Sequence, residues 1–381
     1  MVVVIKFIDK YFGSWICNFL GLFNKRISSD KLKTDYKKIL VIQLWGIGET
    51  ILVLPSIEGL RKKYPKAEIE VLATSRNRDV FFHNKNIDKI IILKINPFSI
   101  LNFILRKMNK YDLVIDMEEY LNVSAVISFF AGRQRIGYAH DSRSKLYTNQ
   151  VRYNDKQHAA QTFLDLVRKV NVKYGANKLP KLNYSKSDIN VVNRFLINNG
   201  IKSNDFLVCV APGAAESAKS RMWPYDRYAE LCDEIIAKYN SKIIFIGIPE
   251  ENDLVKSIQE KMENQGKIVN VAGQINLNQL FYLMTKCKLF VGNDSGPMHV
   301  AAAQGIKTLG LFGPNLPVRF GPYGKGNIGL YKGYNCEFSP CINVHKGQVP
   351  DCLYTRNSND YQKCMKNISV DDVLKEVEKL V

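Results

Sequence analysis

The sequence predicts two doubly wound α/β domains in tandem. Short apolar runs of the buried parallel-strand kind recur along it, each followed by a loop and a helical stretch. At 381 residues the chain is too long for one ordinary core. A stretch rich in Asn, Lys and Ser at 171–187, with Pro180 inside, separates the runs into two sets. Strand alternating with helix means a parallel sheet covered on both faces, whose ligands bind at the carboxyl ends of the strands. Two such sheets facing each other place a cleft between them.

The first set opens with Ile39-Leu40-Val41-Ile42-Gln43-Leu44. A helix is expected over 50–63, ended before Pro65, with strands at 68–73, 89–93 and 111–117. The second set opens with Phe206-Leu207-Val208-Cys209-Val210, after a helical stretch at 188–199. Strands follow at 242–247, 267–271, 288–291 and 307–311, and helices at 225–239, 250–264, 277–286 and 297–304. The domain reading is an N-terminal extension to 37, a first domain over 38–180, a second over 181–335, and a cysteine-containing tail with a last helix over 336–381.

Composition bounds the function. Hydrophobic residues at 46% and charged residues at 24% are globular averages. A net charge of +18 implies an anionic partner: nucleic acid, an acidic membrane surface or a phosphorylated substrate. Aromatic-interleaved RNA motifs and zinc-finger spacings are missing, so no nucleic acid is expected. Eight cysteines in this length are no disulfide scaffold, and a reducing compartment follows. Cys336, Cys341, Cys352 and Cys364 miss the short spacings of structural zinc, which leaves buried thiols, a bound metal or disulfides open.

No cleavable signal pattern is evident, and the uncharged stretch 11–23 is too short to span a bilayer. At helical spacing Ile5, Ile8, Phe12, Trp15, Phe19, Leu22 and Phe23 share one face, while Lys6, Asp9, Lys10, Gly13 and Ser14 fall away from it. Residues 1–38 carry eight basic and three acidic side chains. This reads as an in-plane membrane anchor, or as a helix packed on the protein's own surface.

Four loop segments carry candidate chemistry. Gly292-Asn293-Asp294-Ser295-Gly296-Pro297-Met298-His299 leaves a strand and opens a helix. Its glycines admit close backbone approach, Pro297 suits a first helical turn, and Asp294 or Ser295 suits the N-cap. The free N–H groups of that helix suit a diphosphate; a capped turn with no ligand is the plain alternative. The loop from Pro212 to Pro224 brings Lys219 and Arg221, able to meet phosphate charge. Trp45-Gly46-Ile47-Gly48-Glu49 ends the first strand; it lacks the spacing and Lys of a Walker motif. Glu49 there is either a functional carboxylate or a first-turn acid that favours the helix dipole. Phe312-Gly313-Pro314-Asn315 and the segment 319–324 read as a rigid loop. No Asp-x-Asp pair occurs, so no metal or cofactor is expected, and basic and helix-end groups are left to neutralise the diphosphate.

Together these segments resemble glycosyltransferase family 9, the ADP-heptose:lipopolysaccharide heptosyltransferases and their relatives, over roughly residues 38–375. The Gly-x-Gly-acid loop with Leu54-Pro55, the Pro212-Gly213 to Trp223-Pro224 loop, Gly292 to His299 and Phe312-Gly313-Pro314 match in order, as does Cys364-Met365 before the last helix. The resemblance implies two Rossmann-like domains of the glycosyltransferase B type. It implies a nucleotide-sugar on the second domain, a lipopolysaccharide-core or other envelope-glycan acceptor on the first, and metal-free inversion at the cytoplasmic side of a bacterial inner membrane. It casts Glu49 as the base and Arg221 as the phosphate-binding cation. Asn293, Asp294, Ser295, Gly296, Pro297 and His299 would hold the donor with Lys219, and Glu250 its ribose. Gly46, Ile47 and Gly48 would line the acceptor side. Where the family pattern has Asp, Glu49 sets the carboxylate one methylene further out, and the family's Ser in this loop is missing. A nucleotide-sugar epimerase or hydrolase of similar fold, or a non-catalytic binder of sugar nucleotides, are the rival readings.

Overall fold

The structure is a computed structural model, and it describes residues 8–24, 32 and 35–381. Two compact units divide the chain between Ala176 and Asn177, rather than after residue 180. Unit 1 takes Met1–Ala176 with Val344–Gly347, and unit 2 takes Asn177–Asn343 with Gln348–Val381.

Unit 1 is one six-stranded, all-parallel sheet in the order β3-β2-β1-β4-β5-β6. Its strands are β1 (Lys38–Ile42), β2 (Glu68–Ala73), β3 (Lys89–Ile92), β4 (Tyr111–Asp116), β5 (Gly132–Tyr138) and β6 (Asn149–Val151). Its helices are α1 (Ser14–Gly21), α2 (Ile47–Lys63), α3 (Pro97–Lys107), α4 (Asn122–Ala131) and α5 (Ala159–Arg168). Helix α2 is buried almost along its length and packs against α5, which explains its apolar character on every side. Strands β5 and β6 were not expected, because Arg133, Gln134 and Arg135 break the apolar pattern. The two buried ones are satisfied: Gln134 Oε1 accepts from the Tyr36 hydroxyl at 2.5 Å, and Arg135 donates to the carbonyls of Leu146 and Gly132, while Arg133 is exposed.

Unit 2 repeats the plan in the order β12-β11-β10-β7-β8-β9, again all parallel. Its strands are β7 (Leu207–Ala211), β8 (Lys242–Phe245), β9 (Ile268–Asn270), β10 (Leu289–Asn293), β11 (Lys307–Phe312) and β12 (Ile328–Tyr331). Helices α6 (Lys186–Asn198), α7 (Tyr225–Tyr239), α8 (Asn252–Gln259), α9 (Leu277–Met284) and α10 (Gly296–Gln304) cover it. Two short turns, α11 (Pro317–Phe320) and α12 (Lys363–Lys366), precede the last helix, α13 (Val370–Leu380). Apart from Val344–Gly347 the tail belongs with this unit: α13 packs on α7, and Cys336, Cys364 and Met365 join the core beside Trp223. All eight cysteines are free thiols, and among the described residues no group of His, Cys, Asp and Glu is arranged to hold a metal ion. Among the described residues no helix is long and apolar enough to cross a membrane.

The strand order reverses between β1 and β4 in unit 1 and between β7 and β10 in unit 2. Such switch points are where doubly wound sheets bind ligands. The loops that leave these four strands hold the candidate sites.

Candidate functional site

In unit 1 the loop after β1 is fixed carbonyl by carbonyl. Gln43 O accepts from Asn77 Nδ2 (2.8 Å), Leu44 O from the Thr74 hydroxyl (2.9 Å), Trp45 O from Gln43 Nε2 (2.6 Å) and Gly46 O from the Thr50 hydroxyl (2.5 Å). Gly46 is the N-cap of α2 at φ 70°, a conformation that glycine adopts without steric cost. Ile47, Gly48 and the half-buried Glu49 form the first helical turn. The Glu49 carboxylate folds back over Gly46, so close that a Cβ there would stand 1.9 Å from Oε2. The helix-dipole role and a reactive role are compatible in this position.

The end of β4 contributes two acids that the sequence reading did not single out. Glu118 Oε1 accepts from the backbone N–H groups of Leu44 (2.5 Å) and Trp45 (2.9 Å), and so straps the β1 loop to β4. Glu119 accepts from the Tyr153 hydroxyl at 2.6 Å. Burial, and then the charges of Glu118, Glu49, Glu119 and Asp9, hold the Tyr120 phenol well above its usual range. The signal for Glu118 and Glu119 was positional only: they follow a strand at the switch point.

Behind Glu118 lies a fully buried ion pair. Arg143 donates to Asp116 Oδ2 at 2.9 Å, and the hydroxyls of Tyr147 and Ser124 donate to the same oxygen at 2.6 and 2.8 Å. Burial, reinforced by the Asp116 charge, pushes Glu118 from an ordinary 4.5 up to about 8. An acid raised by folding contributes stability that is complete below its unfolded pKa and is lost as pH rises through the folded one. Wild-type stability should therefore fall relative to Glu118→Gln between pH about 5 and about 8, by at most ~1.4 kcal/mol per pH unit. Gln keeps an oxygen for both backbone donors. Denaturant titrations of the two proteins across that window check this; parallel stability curves would refute it.

In unit 2 the loops after β7 and β10 are joined by one buried amide. Asn293 Oδ1 accepts from Trp223 N (3.1 Å) and the Tyr228 hydroxyl (3.0 Å), while Nδ2 donates to Pro212 O (2.7 Å) and Gly213 O (3.2 Å). These bonds fill the amide's capacity, which makes Asn293 the brace that sets the two loops in register. Trp223 anchors the far end by donating from Nε1 to Ile368 O at 2.9 Å.

Arg221 closes a short 3₁₀ segment, Glu216–Arg221, in which Lys219 is exposed. The Arg221 guanidinium donates to Asp294 O at 3.1 Å and pairs with Asp294 Oδ2 at 3.3 Å. Asp294 Oδ2 also accepts from Asn315 Nδ2 at 2.8 Å. Asp294 is thus a positioning group for Arg221, and Asn315 holds it in turn.

Helix α10 begins at Gly296, one residue before the expected start, with Ser295 as N-cap and Pro297 in the first turn. Ser295 makes no side-chain cap bond, so the expected hydroxyl cap is not formed. Its Oγ is buried without a partner, as are Arg221 Nε and Asn315 Oδ1. Orphaned buried polar atoms are rare in folded proteins, and three gather here around an uncapped helix N-terminus. His299 lies one turn further along, 4% exposed.

The two acids that follow β8, of which Glu250 was expected to contact the ribose, are placed differently. Glu250 is exposed, whereas the carboxylate of Glu251 sits against Gly213, where a Cβ would stand 2.0 Å from Oε1. The Ile248 N–H donates to Glu251 Oε2 at 2.9 Å and fixes it there.

Residues 105–346 match the family model described as "Glycosyltransferase family 9 (heptosyltransferase)". Lipooligosaccharide heptosyltransferase 2 of Haemophilus ducreyi is 27% identical over 367 residues, covering 90% of this chain and 99% of that one. Lipopolysaccharide heptosyltransferase 2 of Escherichia coli is 28% identical over 300 residues, covering 74% and 84%. A solved family 9 glycosyltransferase from Veillonella parvula superposes with a TM-score of 0.77 at 25% identity, covering 92% of this chain and 99% of that one. The two switch-point sites, the parallel sheets that carry them and these matches agree: the chain belongs to glycosyltransferase family 9, the heptosyltransferase family.

Proposed function

We propose that this glycosyltransferase moves a heptosyl unit from ADP-heptose to a lipopolysaccharide core, or another cell-envelope glycan, presented at an anionic membrane surface. The observation that carries the reading is the uncapped N-terminus of α10, flanked by Arg221 and by buried donors and acceptors without partners. Such a helix end favours a diphosphate, and its dipole adds to the guanidinium charge. The named activity of the Haemophilus ducreyi and Escherichia coli relatives supports heptose as the sugar and lipooligosaccharide or lipopolysaccharide as the acceptor.

In the mechanism, Glu49 takes the proton from an acceptor hydroxyl as that oxygen attacks the anomeric carbon. The carbon–oxygen bond to the diphosphate breaks on the opposite face, and the configuration inverts. Charge on the leaving diphosphate is met by Arg221, by Lys219 and by the first N–H groups of α10, with no metal required. Glu251, in place of Glu250, accepts from the ribose hydroxyls. Gly46, Ile47 and Gly48 let the acceptor approach Glu49.

The test is direct. ADP-heptose should raise the melting temperature more than other nucleotide-sugars, and ADP-heptose with a delipidated core oligosaccharide should yield ADP and a heptosylated product of inverted anomeric configuration. ADP release with no glycosylated product, or no stabilisation by any nucleotide-sugar, would overturn the reading.

A further inference from the structure

The N-terminal helix, a π-helical turn over Asp9–Gly13 that runs straight into α1, is docked with its apolar stripe outward. An amphipathic helix ordinarily buries its apolar stripe and shows its polar side to water. Here the polar and small side faces the protein. Asp9 accepts from the backbone N–H groups of Asn122 and Val123, each at 2.8 Å. Ser14 bonds the Ser142 hydroxyl at 2.7 Å, Cys17 is fully buried, and Gly13 and Gly21 rest against Asn122 and Lys145. The opposite side carries a continuous aromatic ladder. Phe12 stacks on Trp15 and Trp15 on Phe19, each at 5.9 Å between centroids, and Phe19 meets Phe23 edge-on. Phe12, Trp15 and Phe19 are each about half exposed or more, at 60%, 61% and 49%.

A second apolar face stands on the same unit. Helix α3 buries Phe103 and Ile104 but exposes Phe98, Leu101, Leu105 and, just beyond it, Met108. Helix α4 packs against both α1 and α3; its Val126 and Phe129 are half-buried against the cluster of Cys17, Leu146 and Tyr147, and Phe130 is half-buried. Exposed Lys10, Arg106, Lys110 and Arg133 belong to the same elements and their ends, and exposed Lys145, from the neighbouring segment 142–146, donates to Asn18 of α1 at 2.7 Å. Single exposed apolar residues are ordinary; contiguous apolar patches with a charged rim mark an interaction surface.

We infer that α1, α4 and α3 together form one docking face for an anionic lipid bilayer, with the aromatic ladder seated in the headgroup region and the basic residues on the lipid phosphates. Charge decides the occupant. A net charge of +18 opposes pairing this face with a second copy of the chain, whereas an anionic bilayer attracts it. Phe and Trp above a basic rim suit the interface plane, at a depth of roughly 5–10 Å. The inference rests on the proposed function only in placing the acceptor at a membrane; its geometric evidence lies within unit 1.

Flotation of the full-length protein with phosphatidylcholine vesicles, with and without phosphatidylglycerol, tests it. Wild type should float with the anionic vesicles. Phe12→Ser/Trp15→Ser should lower the bound fraction by about tenfold or more, and Leu101→Ser/Leu105→Ser should do the same independently. Heptosyl transfer to a delipidated core oligosaccharide should stay unchanged in both, since all four positions are exposed and none belongs to the proposed catalytic or donor machinery. Undiminished flotation of either variant overturns the two-helix face. So does a wild-type dimer in light scattering that these changes convert to monomer, because the face would then bind a second copy. Flotation as expected, with no transfer by wild type, leaves the docking face standing and sinks the functional reading instead.

Discussion

Glu49→Gln should lower the turnover of heptosyl transfer by about 10²-fold or more while donor affinity stays at the wild-type value. The amide keeps the size of the carboxylate and can lie over Gly46 in the same place, so the loop need not move. What it loses is the ability to take a proton. In the proposed reading the donor binds unit 2, where Arg221 and the start of α10 are untouched. The measurement pairs a kcat from ADP release with a donor Kd from calorimetry, and wild-type turnover would remove Glu49 from the base role. Glu49→Asp sharpens the result. It restores the acid but shortens the reach by one methylene, so an activity between wild type and Glu49→Gln is expected if position as well as charge matters.

Arg221→Ala should weaken donor binding by roughly 10- to 100-fold, the loss expected for one charged hydrogen-bonding partner of a phosphate. Part of any change will be structural, because Asp294, with its side chain only 5% exposed, loses the cation it faces. Arg221→Ala/Asp294→Asn separates the two effects. It should regain thermal stability relative to the single variant without regaining affinity for ADP-heptose. Affinity equal to wild type in Arg221→Ala, measured by calorimetry, would exclude the phosphate-binding role. Arg221→Lys should recover little, since an ammonium cannot reproduce the fork that bonds Asp294 and a phosphate together.

Much of this architecture was legible because buried parallel strands announce themselves as apolar runs. β2 and α7 fall where the sequence placed them, and β1, β4, β10 and β11 within a residue or two at each end. β5 escaped because its Arg and Gln side chains look like a loop until Tyr36 and the carbonyls of Gly132 and Leu146 are seen to satisfy them. The site was legible as two loops, and less so as a set of roles. Asn293 resembled a donor ligand, yet its amide is occupied in bracing its own loops. Glu250 and Glu251 are equivalent in a string of letters; only the turn after β8 aims one of them at Gly213 and leaves the other in solvent. Glu118 lies far along the chain from the Leu44 and Trp45 N–H groups that it straps, and no local pattern could have paired them.

The seat of the N-terminal helix bears on how a less sticky version of this enzyme would be engineered. Helix α4 has no cap from its own Leu121; Asp9 does that work from a segment that a designer would be tempted to delete. Cutting the extension away would strip the cap, at a cost of about 1 kcal/mol, and bare the surface that receives Gly13 and Cys17. The gain in solubility would come with a weaker first unit. Replacing the outward aromatics by serine while retaining Asp9, Gly13 and Cys17 leaves that scaffold intact, so the proposed adhesion and the stability, joined in one short helix, can be tuned from opposite sides of it.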